Sequence, residues 1–194
     1  MKASYAFLCL FLLATTAMAQ TSHAPAAGAV AAQVGSGRVA TDSVGGGHNR
    51  VTIEARHADG SLFYRSTTHN LRTNAGADWQ ASVMGNTAAP PATCNYIGVS
   101  SDTTSPALTD TTLAGEIASN GLQRAQGVYG HSTGNSIYSV AKTFTASGSF
   151  TAVQKAALFN ASSAGTMCFE ATFSPAANLS SGDTLSITWT VSLN

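Results

Sequence analysis

Residues 184–193 constrain the fold of this chain more than any other stretch. Leu185, Ile187, Trp189, Val191 and Leu193 alternate with Ser186, Thr188, Thr190 and Ser192. Successive side chains of a strand point to opposite faces, so the run predicts a β-strand with one apolar face and one hydroxyl face. Ser181, Gly182 and Asp183 supply the turn chemistry that starts it. A strand so apolar on one side is stable only under a second layer, and the rest of the chain must provide that layer. Ile187, Trp189 and Val191 are therefore expected core residues.

Upstream, short apolar alternations recur between turn signals. Val51, Ile53 and Ala55 alternate with polar residues, Asp59-Gly60 makes a turn, and residues 62–65 return the chain, which is a β-hairpin signature. Residues 73–85 predict one short helix, with Thr73 or Asn74 as cap, Gly85 at its end, and Trp79 laid over an open side of the sheets. Residues 96–99, 122–131, 136–146, 153–159 and 167–173 read as further strands. Met167, Phe169, Ala171 and Phe173 share one side of the last of these, and Phe159 ends its partner. Trp79, Phe159 and Phe169 thus join the expected core. Frequent turns, short strands and one helix predict an all-β chain: an antiparallel β-sandwich of immunoglobulin-like or jelly-roll type, with an extended N-terminal segment.

The N-terminus reads differently. Lys2 precedes an apolar run around residues 7–13, and Ala17-Met18-Ala19 has the small-x-small pattern of a signal-peptidase site. Residues 1–19 are expected to be a secretory signal peptide, too short in its apolar part to span a bilayer. Residues 20–49 are rich in Ala, Gly and Ser and lack the large apolar side chains a core needs. They read as a linker or, through the alternation of Val30, Ala32 and Val34, as a strand donated to a neighbour. Residues 50–194 form the sandwich domain.

Charge excludes some roles. Nine basic side chains balance nine acidic ones in 194 residues, so there is no basic patch for nucleic acid and no polybasic membrane surface. No membrane insertion is expected once the signal is removed. Beyond Cys9 in the leader, only Cys94 and Cys168 remain. In an oxidising compartment they are expected to form one disulfide, stabilising by about 4 kcal/mol in the chain-entropy picture. Because Cys168 alternates with Met167 and Phe169, that bond is expected outside the main core.

Several motifs have residue types that can carry chemistry. Gly130-His131-Ser132-Thr133-Gly134 matches the nucleophile-elbow pattern, but the elbow needs strand, sharp turn and helix in a parallel sheet. Between two antiparallel strands it reads as a hairpin loop. His23, His48, His57, His69 and His131 form no close ligand pair. Asp102, Asp110 and Glu116 fit no calcium-loop spacing and read as solvated acids. Asn160 and Asn178 stand in glycosylation sequons. No cofactor, metal site or enzymatic activity is expected.

Thr73-Asn74-Ala75-Gly76 with Asp78-Trp79, Asn95-Tyr96-Ile97, Leu113-Ala114-Gly115-Glu116-Ile117 and Gly121-Leu122-Gln123-Arg124-Ala125 occur in that order. With residues 154–161, Gly165-Thr166-Met167 and Gly182-Asp183-Thr184-Leu185, they resemble small tail-fibre-like structural proteins of phage and bacterial genomes. The resemblance spans roughly residues 68–193 and implies a fold and a virion-type structural role, with no catalytic residues. Virion parts assemble in the cytoplasm, whereas this chain carries an export signal. The reading is therefore a secreted structural subunit of an extracellular filament or surface assembly, a homo-oligomer or homopolymer joined through its N-terminal segment. The alternatives are a monomeric adhesin or glycan- or protein-binding module, contacting through Tyr96, Tyr129 and residues 100–110, or a tail-fibre-like virion component.

Overall fold

The computed structural model describes residues 49–86 and 88–193. The leader and Val30, Ala32 and Val34 lie outside these described residues. Chain order is β1 (Arg50–Arg56), β2 (Leu62–His69), β3 (Leu71–Arg72), α1 (Asn74–Gly85), β4 (Tyr96–Ser100), β5 (Ala125–Gln126) and β6 (Val128–His131). There follow β7 (Ile137–Thr145), β8 (Phe150–Phe159), β9 (Met167–Leu179) and β10 (Thr184–Ser192). They form an antiparallel β-sandwich of two five-stranded sheets, ordered β2-β1-β10-β7-β6 and β3-β9-β8-β4-β5.

The expected C-terminal strand is β10, and it lies at the centre of the first sheet. Its register sets Trp189 opposite Val51 on β1 and Val140 on β7. Leu185, Ile187, Trp189 and Val191 all face the space between the sheets, where they are buried with Ile53, Phe144, Ile97, Leu158 and Phe169. Trp189 and Phe169 meet across that space with ring centroids 6.3 Å apart. The Trp189 indole N–H is buried there with no hydrogen-bond partner among the described residues. Apolar packing therefore holds this residue, not a polar anchor.

Local chemistry explains the element ends. The β1–β2 hairpin turns at Gly60, whose φ of 87° suits a residue without a side chain, and Asp59 accepts from the Ser61 N–H at 2.9 Å. At the helix start the Thr73 hydroxyl accepts from the Gly76 N–H at 2.9 Å and donates to the Met167 carbonyl at 2.5 Å. It thus caps α1 and ties it to β9 at once. A side chain at Gly76 would overlap the Cys168 backbone, so glycine lets the helix sit directly on that strand. Trp79 is only half-buried; it packs on the edge of the core and donates its indole N–H to the Ala92 carbonyl at 2.8 Å.

Three expectations need correction. Cys94 and Cys168 do form the disulfide, with Cα atoms 6.5 Å apart, but both are buried within the main core. The reason is a bulge: Leu158 pairs with Phe169 while Phe159 pairs with Met167, leaving Cys168 as an extra residue. The bulge also breaks the expected row. Phe169, Ala171 and Phe173 stay between the sheets, while Met167 turns outward beside Phe159. Phe159 is accordingly buried in a second cluster on the outer face of the second sheet, with Leu113 and Ala157. Finally, the expected strand 122–131 is two short strands in different sheets, β5 and β6, separated by Gly127. A Cβ there would press on Val140 and the Ala141 carbonyl, so glycine permits the crossing.

Candidate functional site

Two places on the sandwich combine unusual groups. The first is the outer face of the second sheet, which alternation exposes and the segment of residues 101–124 covers. Leu113 closes over Ala157 and Phe159, and half-buried Tyr96 packs beside them. The Arg124 Cζ lies over the Phe159 ring, 3.4 Å from its centroid. Its guanidinium donates to both Glu116 oxygens at 2.7 and 2.5 Å and to the carbonyls of Ala161 and Ala164. Gly98 on β4 makes room for this arrangement, because a Cβ would stand 2.7 Å from Glu116 Oε1.

Beside it lies a cluster of buried charge. Lys155 on β8 and Glu170 on β9 point outward from adjacent strands, each with a side chain only 1% exposed. Their ion pair is 3.3 Å, and Lys155 Nζ is 2.6 Å from Asp102 Oδ2 and 3.0 Å from Thr104 Oγ1. Burial and the neighbouring Asp110 push the Glu170 carboxyl up to about 7, against the opposing pull of Lys155. Burial would lower the Lys155 ammonium, but Asp102 and Glu170 outweigh it and raise its pKa. The ammonium of Lys155 and the Thr104 hydroxyl hold Asp102 below the usual carboxylate range. Asp102 and Glu116 are thus ion-paired rather than solvated acids. Among the described residues no three His, Cys, Asp or Glu side chains are grouped to hold a metal ion.

The second place is the β6 edge of the first sheet, where β6 pairs only with β7 among the described residues. All four residues of β6 are exposed, Val128 by 76% and Tyr129 by 61%. Between β6 and α1 runs a largely apolar groove of about 340 Å³, lined by Trp79, Val83, Met84, Tyr129, Tyr138 and Leu193. Burial, with a smaller contribution from Tyr129, pushes the Tyr138 hydroxyl up to about 12, so it stays neutral. The chain enters the domain at the same end: Asn49 Oδ1 accepts from the Ser192 N–H at 2.7 Å, next to Leu193.

Of the residues singled out in the sequence, Ile187, Trp189, Val191 and Phe169 meet in the main core, Phe159 is buried in the second core cluster, and Trp79 borders the groove. The elbow-like Gly130–Gly134 pattern falls in the β6–β7 hairpin, with no helix after it. Lys155, Glu170 and Arg124 were not foreseen. Two charged residues inside otherwise apolar strands, Lys155 and Glu170, were the available signal. Among the described residues no helix is long and apolar enough to cross a membrane. No family model, curated protein or solved structure matches the chain.

Proposed function

We propose that the chain is a secreted structural subunit of an extracellular filament or cell-surface assembly, joined through its N-terminal segment. The observation that carries this reading is the open β6 edge beside an apolar groove. Such an edge is a pairing surface unless something covers it. The proposed occupant is the segment around Val30, Ala32 and Val34 of a neighbouring copy, added as a strand with alternate small side chains in the groove. Residues 35–48 tether it to Asn49, a span of at most about 50 Å, enough to reach an adjacent subunit. Export is supported by the leader pattern and is compatible with the disulfide.

Electron microscopy of the mature secreted protein tests it. Filaments are expected from the full chain, and dispersed, folded particles from a chain lacking residues 20–45. A paired Ala32→Cys and Met84→Cys variant should crosslink between copies. A crosslink confined within single chains, or filaments from the truncated chain, overturns the donor-strand arrangement.

A second reading, a monomeric adhesin or glycan-binding module, draws on exposed Tyr129 and on Tyr138 5.9 Å from it, an aromatic pair of the kind that stacks on sugars. Dispersed particles from the full chain, together with glycan binding lost on Tyr129→Ala, would favour it.

A further inference from the structure

We propose that Lys155 and Asp102 become joined by an isopeptide bond, formed within the folded domain with Glu170 passing the proton. Nothing in this step depends on assembly. The geometry that points to it is a nearly completely buried amine held against a carboxyl, with a second buried carboxyl touching the same nitrogen. Lys155 Nζ lies 2.6 Å from Asp102 Oδ2 and 3.3 Å from Glu170 Oε1. The pair is fixed from both sides. Lys155 is opposite Ser100 in the β4–β8 register, and the Ser100 hydroxyl accepts from the Asp102 N–H at 2.9 Å while donating to the Ala114 carbonyl at 2.5 Å. Thr104 grips the same Asp102 oxygen through both its N–H and its hydroxyl.

The chemistry balances without a co-reactant. Ammonium and carboxylate lose one water and become an amide: the Nζ–Cγ bond forms, one Cγ–Oδ bond breaks, and two nitrogen protons leave with the oxygen. Glu170 takes the first proton from the ammonium, which frees the Nζ lone pair for attack, and gives it to the Asp102 carboxylate. The second nitrogen proton follows the same route as the oxygen departs as water, and Glu170 ends as it began. A carboxyl poised near 7 suits a group that must both accept and give a proton. Two physical terms favour the product. Groups held in contact react with effective molarities of about 10⁵–10⁸ M. A buried ion pair also carries a large desolvation cost, which condensation to a neutral amide removes. Asp102, with 21% of its side chain exposed, borders the route by which water leaves.

The intact mass of the secreted protein, denatured and with its disulfide reduced, decides the matter. It should be one water lighter than its sequence mass, and digestion should give a branched peptide joining the Lys155 and Asp102 segments. Lys155→Arg keeps the charge and bulk and should restore the full mass. Glu170→Gln should leave most molecules uncondensed. Wild-type protein at full sequence mass overturns the proposal, as does a water deficit that survives in Lys155→Arg or maps to the Asp59-Gly60 turn. Complete condensation in Glu170→Gln would remove Glu170 from the reaction.

Discussion

The outer faces of the two sheets obey the same alternation and end in opposite environments. On the first sheet, Thr52, Thr67, Thr143 and Ser186 stand toward solvent and bond mainly to one another, Thr52 to Thr67 at 3.2 Å and Thr143 to Ser186 at 2.8 Å. Glu54 lies among them with Arg65 and Arg56 at 3.3 and 3.5 Å. On the second sheet the outward residues include Lys155, Ala157, Phe159 and Glu170, and residues 101–124 roof them. The difference is one of consequence. Exposed hydroxyl and ion pairs contribute little, since water replaces them readily. Under the roof, each polar group must be matched by a named partner or remain as a buried cost.

The largest expected effect tests the core both faces share. Trp189→Ala should destabilise by about 3–5 kcal/mol, read from denaturant midpoints. Trp189→Phe should cost much less, because the indole N–H has no partner to lose among the described residues. Next comes the roof itself. Arg124→Ala removes the Glu116 pair, the stack on Phe159 and two carbonyl contacts, and should cost about 3 kcal/mol. A value near zero would make the two faces equivalent and break the comparison.

A pH series sharpens it. Glu170 has a folded pKa raised to about 7, so the folded state holds its proton where the unfolded state has lost it. The resulting stability is fully present below the ordinary glutamate range and is lost as pH rises through about 7. Lys155 opposes the shift, and Asp110 adds to it. Glu170→Gln should flatten that part of the stability profile. The smallest effect belongs to the open face: Thr52→Ala should change stability by no more than about 0.5 kcal/mol. A cost comparable to that of Arg124→Ala would show that the hydroxyl face is covered in solution.

Much of the fold was legible because it depends on short-range periodicity. The β1–β2 hairpin, the Thr73 cap and the β10 alternation follow from two-residue and 3.6-residue periods and from turn chemistry. The candidate sites were less legible. Tyr129 could be marked as a contact, but the groove beside it exists only because α1 and β6, distant in sequence, border the same space. Asp102 and Glu116 read as solvated acids because their partners, Lys155 and Arg124, stand 53 and 8 residues away. Only packing shows which acid meets which base.

By itself the sequence determined the class of fold, the identity of its central strand and, through cysteine count, the disulfide. Each depends on local pattern or on having no competing partner. The tertiary structure alone decided that Cys168 turns into the main core, that Met167 and Phe159 pack in a second core cluster, and that residues 101–124 roof one sheet and not the other. A single extra residue in β9 reverses which side its neighbours face, and a loop covers one sheet only where Gly98 leaves space for Glu116. Such outcomes depend on the fit between surfaces far apart in the chain, which no local period encodes.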